Sequence, residues 1–413
     1  MKILFIVPYV PNPVHVRSFN LIKSLFNRGH RITLATLWTS REEQKDLQQL
    51  LPYCQQILAF PLNRWRSYLN SLLVLPSSDP LQSVYCWNSD LAHGLTSLVK
   101  RQDDRTQFDL IHIEHLRGAR YGISLKEKIN KKNEASGKIR TPPIVWDSVD
   151  SISLLFEQAS VHSRRLFSRM MTRFELNRTK SYEAWLIQQF STILVTSQND
   201  RKAFLDLQAD FQNLSDISVI PNGVDTQFFT PDPTLLREPD TLVISGKMSY
   251  HANVTMCLNF VTQVMPLIWA KRPTVKLWLV GKDPSKEIIS LGKNPAITVT
   301  GTVADIRPYL LRSTLAVAPL TYGVGIQNKV LEAMACGTPV VSTPQAVSAL
   351  STIAGQDVVV ANSPQALADT ILRLLDDPDQ CARLGLNGRK YVEKNHCWDE
   401  ISAHLEEVYY GVV

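Results

Sequence analysis

The segment GVGIQNKVLEA, residues 323–333, carries two glycines followed by a lysine and a glutamate at helical spacing. Gly323 and Gly325 would let backbone amides come close to a ligand, because glycine has no side chain. A helix that begins near Lys329 would present unpaired N–H groups and a partial positive charge to an anion. A diphosphate fits such a site, and Glu332, one turn further in, could accept hydrogen bonds from sugar hydroxyls. The alternative is a turn followed by a surface pair of opposite charge.

A second phosphate contact is predicted in the segment SGKMSYHAN, residues 245–253. Gly246 and Lys247 lie at the end of a predicted buried strand, and ligands of parallel sheets bind beyond the carboxyl ends of the strands. The alternative is a turn with an exposed lysine. Neither segment contains the GK[ST] sequence of a Walker loop, which disfavours hydrolysis of nucleoside triphosphates.

Titratable side chains also follow two predicted strands in the first half of the chain. The strand FDLIHIEH, residues 108–115, ends in His112, Glu114 and His115, and the histidines could equally be packing or capping residues.

Asp147 and Asp150 lie at the end of the next predicted strand, PPIVWDSVD. Two carboxylates at this spacing could bind a metal ion or act as an acid–base dyad. They could also cap the helix that is predicted to begin at Ile152, which is the favoured interpretation.

The elements that must position these residues alternate between strand and helix in both halves of the chain. Apolar runs such as KILFIVPYV and VKLWLVGK have the composition of buried strands, and segments such as RSFNLIKSLFNRG have helical spacing of apolar residues. Such alternation predicts parallel sheets covered on both faces. Turn residues in VIPNGVD, followed by a linker, indicate a boundary near residue 222, after which the alternation restarts. The sequence therefore predicts two doubly wound α/β domains in tandem.

Length and composition agree with a two-domain globular protein. The chain has 413 residues and a net charge of +6, and residues 1–220 hold 28 lysines and arginines against 20 acidic residues. This excess indicates an anionic neighbour, which could be a membrane surface, a phosphorylated acceptor or nucleic acid. No apolar run reaches the roughly 18 to 20 residues that span a bilayer. The six scattered cysteines favour a reducing cytoplasm over a disulfide framework or a zinc site.

Two segments in the first half mix basic and apolar residues, and a third is highly charged. Residues 62–76 and 164–185 could lie on an anionic bilayer, or they could form helices whose apolar faces point into the core. Residues 126–141 are predicted to form a solvated loop.

Several motifs together resemble a known family. VIPNGVD, GKM, VTGTVADIRPYL and NKVLEAMACGTPVVST resemble, in order and spacing, the donor-binding domain of GT-B retaining glycosyltransferases, with family 4, the group 1 glycosyltransferases, as the closest group. The opening PYVPNPVHVRSFNLIKSLFNRGHRITLAT resembles the acceptor domain of that family. The resemblance implies an α/β GT-B fold, with two Rossmann-like domains facing across a cleft. The acceptor domain would comprise residues 1–222 and a C-terminal crossover helix at about 396–413, and the donor domain residues 223–395.

The resemblance also implies a nucleotide-diphosphate sugar as the donor. Glu332 would hold the nucleotide ribose, and Lys247 and Lys329 would contact the diphosphate. Gly301, Val303 and Asp305 would border the base. The predicted donor-binding residues are Gly246, Lys247, Asn253, Gly301, Val303, Asp305, Gly323, Gly325, Gln327, Asn328, Lys329 and Glu332.

The chain departs from the family pattern at two positions. Val324 stands where the family usually has a glutamate facing the donor sugar, and Asn253 stands where it usually has a lysine. Related subgroups with an Asn-Lys pair before the helix resemble this chain in lacking that glutamate.

On the acceptor side, many relatives have a histidine near Glu114 and His115. The predicted catalytic residues are His115, Glu114, Lys247 and Lys329, and the predicted acceptor-side residues are Arg17, His112, His115, Asp147 and Asp150. No metal and no other cofactor is expected, because retaining enzymes of this fold generally work without a metal ion.

The resemblance thus predicts a retaining, metal-independent glycosyltransferase of polysaccharide or glycolipid assembly, with a glycan, lipid-linked or small-molecule acceptor. Its expected place is the cytoplasm, peripheral on the inner face of the membrane. Nucleic acid is not an expected partner, because the basic residues form no recognisable module. The alternatives are a non-catalytic scaffold that binds nucleotide or glycan, and a nucleotide-sugar epimerase of the same fold.

Overall fold

A computed structural model describes residues 1–12, 16–100, 108–136, 142–162, 166–208 and 215–413. The chain forms two compact units. The first comprises Met1–Phe156, Arg173–Pro221 and Trp398–Val413, and the second comprises Glu157–Thr172 and Asn222–Cys397. The sequence-based division differs from this in one segment, since it places residues 157–172 in the first domain.

The first unit is built on a parallel sheet, which has seven strands in the described part of the chain, in the order β3-β2-β1-β4-β5-β6-β7. The sheet reverses its winding direction between β1 and β4, where Ile3 pairs with Leu110. The strands are β1 Lys2–Val7, β2 Arg31–Trp38, β3 Gln56–Pro61, β4 Leu110–Glu114, β5 Ile144–Val149, β6 Thr192–Val195 and β7 Asp216–Val219.

Helices cover both faces of this sheet, so strands such as β1 are almost continuously apolar. One core lies under α5, α6 and the second half of α8, and another lies under α1 and the C-terminal helix. The helices are α1 Val16–Asn27, α2 Arg41–Asp46, α3 Arg64–Leu73, α4 Leu81–Tyr85, α5 Ser89–Lys100, α6 Leu116–Ser136, α7 Ile152–His162, α8 Leu166–Gln189 and α9 Gln198–Leu207, with a 3₁₀ turn at Leu47–Leu50.

The second unit is built on a sheet of the order β10-β9-β8-β11-β12-β13, again parallel, with six strands among the described residues. This is the doubly wound order of dinucleotide-binding folds, with its reversal between β8 and β11. The strands are β8 Glu238–Ser245, β9 Lys276–Val280, β10 Ile297–Gly301, β11 Ser313–Ala318, β12 Val340–Ser342 and β13 Val359–Val360.

The helices of the second unit surround one continuous apolar core. They are α10 His251–Asn259, α11 Met265–Lys271, α12 Lys286–Leu291, α13 Arg307–Arg312, α14 Asn328–Ala335, α15 Pro344–Val347, α16 Pro364–Leu375 and α17 Pro378–Asn395, and a π-helical segment, Phe260–Val264, joins α10 to α11.

The C-terminal helix α18, Trp398–Val412, belongs to the first unit. Its apolar face packs into the core under α1 through Trp398, Ile401, Leu405 and Tyr409. Glu406 on the same helix bonds to the His30 ring at 2.7 Å.

The predicted loop at residues 126–141 is wrong for residues 126–136, which continue helix α6. Leu125 and Ile129 are buried in the core, and the charged residues between them lie on the outer side of the helix. The high charge therefore reflects an amphipathic helix and not an irregular segment. The rest of that prediction, residues 137–141, lies outside the described residues.

Candidate active site

In each unit, several of the predicted site residues lie near the point where the sheet reverses its winding direction. In the first unit the loops after β1 and β4 carry Tyr9 and His115. In the second unit the loop after β8 carries Lys247, and the loop after β11 leads into the first turn of α14, which holds Lys329. Neighbouring loops leave such a point in opposite directions, and the crevice between them is the usual ligand position in open α/β sheets.

In the second unit the side chains after β8 and β11 converge on Gly246. A Cβ added at Gly246 would lie 3.0 Å from the Asn253 amide nitrogen and 3.4 Å from Lys329 Cε. Lys329 Nζ donates to Asn253 Oδ1 at 2.6 Å, and Asn253 Nδ2 donates to the Lys247 carbonyl at 2.9 Å. Asn253, at the position of the family lysine, therefore connects the backbone of one predicted phosphate-binding residue to the side chain of the other.

The charged residues at the start of α14 have strongly shifted pKa values. Burial lowers the pKa of Lys329 to about 8, although the neighbouring Glu332 opposes this shift. Burial raises the pKa of Glu332 to about 7, against the attraction of Lys329. A half-buried cation without a full counter-charge gains stabilisation when an anion such as a diphosphate arrives.

The loop between β11 and α14 uses its glycines in two different ways. Gly323 and Gly325 have φ values of 155° and 66°, which favour glycine. The Gly323 N–H, which was expected to approach a ligand, donates to Gln158 Oε1 at 3.0 Å, and Gln345 donates to the Gly323 carbonyl at 2.6 Å. Gly323 therefore fixes the loop instead of offering its amide to a ligand.

Two polar side chains lie where helix α14 begins. Gln327 is the residue before the first turn, and its amide donates to the Val324 carbonyl at 3.2 Å. Among the described residues, Asn328 Oδ1 is buried without a hydrogen-bond partner. An unpaired buried acceptor at a helix start is costly unless a ligand satisfies it.

The residues predicted to border the base lie after the edge strand β10. Gly301 has φ 68°, Val303 is half-buried, and Asp305 forms an ion pair with Arg307 at 2.7 Å. Asp305 also accepts the Arg307 N–H at 2.9 Å, directly before α13. This bond holds the loop in place and leaves Asp305 half-exposed.

In the first unit, Glu114 is a buried carboxyl group. It accepts a short hydrogen bond from Tyr9 and a longer one, 3.3 Å, from Ser18. Burial, and then the nearby Asp147 carboxylate, raise the pKa of Glu114 to about 7. Its side chain lies behind the site surface at 1% exposure. Glu114 is thus placed to hold a proton next to Tyr9 and is not in contact with solvent.

His115 is a partly accessible candidate. Its backbone has φ 68°, an uncommon conformation for a residue with a side chain, and such strain often accompanies functional positions. Its N–H donates to the Asp147 carbonyl at 2.6 Å, which fixes this conformation. The ring is half-buried, and its Nδ1 accepts the Arg117 N–H at 3.2 Å.

Arg17, His112 and Asp147 form one buried network. Arg17 binds Asp147 at 2.8 Å and donates to the Ile220 carbonyl at 2.9 Å. His112 is stacked on Phe5 and bonded to the Tyr409 hydroxyl at 2.8 Å, and burial lowers its pKa to about 3. Arg17 lies in helix α1 and its guanidinium faces inward, so the structure does not present it to a donor phosphate. These three buried residues therefore support the site and are not exposed to a ligand.

Neither Asp147 nor Asp150 caps helix α7, so the favoured interpretation of this pair is wrong. Glu183 accepts the Ile152 N–H at 2.8 Å, and the Ser151 hydroxyl accepts the Leu154 N–H at 3.3 Å, so these two residues take that role. Asp150 instead accepts a bond from Thr196 at 2.9 Å, and burial and the Asp200 carboxylate raise its pKa to about 7. Glu183 lies 31 residues from the helix start, which no local capping signal reveals.

Sequence reasoning missed three residues that shape these sites, namely Tyr9, Gln158 and Glu183. Tyr9 had a usable signal, because it follows the first buried strand directly. Among the described residues, no group of three or more His, Cys, Asp and Glu side chains is arranged to hold a metal ion.

Two doubly wound parallel sheets in one chain, each with predicted site residues near its reversal point, are the architecture of the GT-B fold class. Anabaena HepE in complex with UDP and glucose superposes over 100% of both chains with a TM-score of 0.69 at 15% identity. This likeness confirms the predicted fold class. Residues 239–377 match the family described as "Glycosyl transferases group 1". The second unit therefore carries a group 1 glycosyltransferase domain, as its motifs indicate.

Relatives of similar sequence are also glycosyltransferases by name. An MMP α-(1→4)-mannosyltransferase of Mycolicibacterium hassiacum is 28% identical over 49% of this chain and 51% of its own length. A GDP-mannose-dependent α-(1-6)-phosphatidylinositol monomannoside mannosyltransferase of Mycobacterium tuberculosis is 27% identical over 49% of this chain and 57% of its own. The chain thus matches only about half the length of these relatives.

Proposed function

We propose that this protein transfers a sugar from a nucleotide-diphosphate donor to an acceptor hydroxyl in glycolipid or polysaccharide assembly. The observation that carries the proposal is the convergence of Lys329, Asn253 and Gly246 at the reversal point of the second sheet, inside the segment that matches the glycosyltransferase family. HepE, a structural neighbour, is described with UDP and glucose, and the mycobacterial relative acts by name on a lipid acceptor.

The donor-side chemistry is electrostatic. The Lys329 ammonium and the amides that open α14 would stabilise charge that develops on the departing diphosphate, and the exposed Lys247 would add a second cation. Asn328 Oδ1 and Glu332 are acceptors at the same helix start and suit hydroxyl groups of the donor. The proposal includes independence from metal ions, because the two lysines supply the positive charge that a cation would otherwise provide.

The acceptor-side chemistry would use His115 for contact and leave Glu114 as a positioning residue. We propose retention of anomeric configuration, with the leaving phosphate taking the proton of the acceptor hydroxyl. Under this mechanism no protein group needs to act as a conventional base. His115 would orient the acceptor, and the Tyr9–Glu114 pair would support the loop behind it.

The proposal also places the protein on an anionic membrane surface, on the cytoplasmic side. Helix α3 has its polar side facing inward and its apolar side facing outward. Ser67 and Asn70 face inward, while Trp65 is 80% exposed and Leu73 70% exposed. Leu75 and Phe174 extend the apolar surface, and Arg178 donates to the Leu75 carbonyl and lies over the Phe174 ring. The core-facing interpretation of residues 62–76 is therefore wrong.

The composition of this surface fits an interfacial helix. Helix α3 has two arginines, Arg64 and Arg66, and no acidic residue. Exposed apolar residues flanked by cations suit the boundary between lipid headgroups and acyl chains. Within the part of the chain that the structure describes, no helix is long and apolar enough to cross a bilayer. In the second basic segment, residues 164 and 165 and the side chains of residues 166–168 lie outside the described residues, while Met170 and Met171 are exposed.

One specific observation favours a second candidate, a non-catalytic protein that binds nucleotide or glycan. Val324 replaces the glutamate that usually faces the donor sugar, and the neighbouring Gly323 amide is already bonded to Gln158. A protein of this kind would bind nucleotide without turnover.

The donor site is tested by calorimetric titration of the wild type and Glu332→Ala with a panel of nucleotide diphosphates and their sugars. We expect one nucleotide to bind and the variant to lose it. Binding by no nucleotide would contradict the donor site, and binding without product in an acceptor screen would favour the non-catalytic candidate. The anomeric configuration of the product, and activity in excess chelator, test retention and metal independence.

The membrane contact is tested by co-sedimentation with anionic and neutral vesicles. We expect binding to the anionic vesicles, and a large loss in the Trp65→Ser/Leu69→Ser variant. The matched control is Ile353→Ser, which changes an exposed apolar residue of the second unit. Equal binding of the wild type and the α3 variant would contradict a membrane contact through α3.

A further inference from the structure

A cavity of about 600 Å³ lies in the first unit between α6, the second half of α8 and the segment around α4. The proposed donor and acceptor chemistry uses none of its residues. Its volume falls within the range of small-ligand sites. It is lined by Ser78, Asp79, Trp87, Arg120, Ile123, Ser124, Glu127, Ser181, Tyr182 and Trp185.

Three aromatic rings form the apolar part of this cavity, and one of them is rigidly held. Trp87 stacks on Tyr121 with ring centres 5.0 Å apart, and the Tyr121 hydroxyl donates to the Cys86 carbonyl at 2.7 Å. Tyr182 is buried and lies 5.5 Å from the Trp185 ring, which is 40% exposed. A fixed aromatic ring and a more exposed one in the same lining suit a flat ligand with C–H groups on its faces.

The polar part of the cavity is organised around Arg120. Its guanidinium lies 5.7 Å from the Trp87 ring centre and 3.6 Å from the Asp79 carboxylate. The ring and the carboxylate together hold the arginine in place. Glu127 and three serines, Ser78, Ser124 and Ser181, add further oxygen atoms to the wall.

This combination of groups selects among ligand classes. Two carboxylates face one guanidinium, so the lining carries a net negative charge and disfavours a phosphate or a nucleotide. Its charged and hydroxyl groups disfavour an acyl chain, because they would be buried without partners. A neutral sugar satisfies both parts, since its C–H faces pack on the rings and its hydroxyls bond to carboxylate, guanidinium and serine groups.

Helix α6 connects the proposed acceptor site to the cavity. Helix α6 starts directly after His115, and its Arg117 donates to Gln82 and lies over the Tyr85 ring of α4. Arg120 follows on the same helix, about 8 Å along the axis from His115 at the usual rise per residue. That distance is about one to two sugar rings.

We propose that this cavity is a binding site for a neutral mono- or disaccharide unit of the acceptor glycan, remote from the hydroxyl that reacts. The assignment as part of an acceptor rests on the proposed transferase function, whereas sugar binding itself does not. The site would hold the non-reacting part of the acceptor and so direct the reactive end towards His115.

The test is saturation-transfer NMR and tryptophan fluorescence with maltose, cellobiose, lactose and α-1,6-mannobiose as probes. Trp185→Ala removes the exposed ring and Glu127→Gln removes an exposed carboxylate. The matched control is Trp65→Ala, which removes an exposed tryptophan outside the cavity. We expect at least one disaccharide to bind the wild type and the control alike, and about tenfold weaker binding by Trp185→Ala.

Three outcomes would overturn the proposal, namely binding of no probe, equal binding by all variants, or loss of binding in Trp65→Ala. Thermal unfolding of each variant shows whether a loss reflects misfolding, and Glu127→Gln supplies a second, less disruptive change. Nucleotide titration of the same samples separates the two proposals. Sugar binding without nucleotide binding would leave the cavity standing and contradict the transferase function, and the reverse result would contradict the cavity alone.

Discussion

The reversal point of the first sheet and that of the second have the same topology but opposite electrostatic character. In the first unit, Glu114 and Asp147 lie below the surface with Tyr9 and Arg17 as partners. In the second, Lys329 is bonded to a neutral amide, and Asn328 Oδ1 has no hydrogen-bond partner among the described residues. The fold therefore supplies two equivalent positions, and the side chains decide what each one can bind.

Both sites contain buried acceptors without a hydrogen-bond partner among the described residues, namely Glu114 Oε2 in the first and Asn328 Oδ1 in the second. The difference lies in the cation, because Arg17 is paired with the Asp147 carboxylate whereas Lys329 is bonded to a neutral amide. An enclosed ion pair is a support, because little is gained when a ligand arrives. A cation and an acceptor held near a helix start, with incomplete pairing, gain stabilisation from a ligand. We therefore expect substitutions in the first network to affect folding most and those in the second to affect binding most.

The largest effect is expected for Arg17→Met. Removing the guanidinium leaves the Asp147 carboxylate buried without its cation, which costs about 3–5 kcal/mol of unfolding free energy. Urea denaturation followed by circular dichroism measures this loss. The double variant Arg17→Met/Asp147→Asn should recover part of it. A loss below about 1 kcal/mol in the single variant would show that the pair is not the support inferred here.

The next largest effect is expected for Lys329→Met on nucleotide binding. Loss of a charge-assisted contact to the diphosphate should weaken binding about 10- to 150-fold, the equivalent of about 1.5–3 kcal/mol. Lys247→Met should cost less, because this exposed side chain contacts the ligand in high dielectric. Calorimetry at fixed salt measures both, with the exposed Lys271→Met as the control. Equal losses for Lys271 and Lys329 would indicate a general charge effect and no specific site.

A smaller effect is the pH dependence of the same binding. The Lys329 pKa of about 8 means that its ammonium deprotonates as the pH rises through that value. Affinity for a nucleotide-diphosphate sugar should therefore fall between about pH 7 and pH 9, a range in which its diphosphate keeps its charge. Lys329→Arg stays protonated and should bind with little change over the range. A wild-type profile without this fall would contradict a contact between Lys329 and the diphosphate.

The smallest effect is expected for Glu114→Gln on stability. The folded-state pKa of Glu114 is raised from 4.5 to about 7, so the protonated form stabilises the fold at low pH, and this contribution is lost as the pH rises through about 7. The amide introduced by Glu114→Gln does not titrate. The variant should match the wild type near pH 5 and melt slightly higher near pH 8. Thermal unfolding at both values measures this, and a variant that melts lower at the higher pH would contradict the burial of Glu114 as a costly anion.

Local sequence signals predicted much of the fold, because the interactions that they reflect lie within one strand or helix. The start of α14 at Asn328, the glycines before it and the Ser197 cap of α9 follow from residue type and spacing. The loop predicted at residues 126–136 failed because charge density outweighed the apolar positions of the helix. The capping role predicted for Asp147 and Asp150 was wrong, because Ser151 and Glu183, which lies far along the chain, bond to the N–H groups at the start of α7.

The contact between Asn253 and Lys329 illustrates what local sequence signals cannot predict. The two residues are 76 positions apart, and nothing local to either one predicts their 2.6 Å bond. At the level of motif, Asn253 is simply a departure from the family lysine. In the structure, it binds the backbone of Lys247 and the side chain of Lys329, which gives the substitution a physical role.

Periodicity, glycines at strand ends and the family motifs by themselves indicated two parallel α/β domains and the predicted donor residues. Only the tertiary structure decided which of these residues are exposed. It enclosed Arg17, His112 and Asp147, left His115 accessible, turned the apolar face of α3 outward and opened the cavity beside α6. The reason is that strand and helix periods are set by short-range geometry, whereas burial and pairing depend on residues brought together from distant parts of the chain.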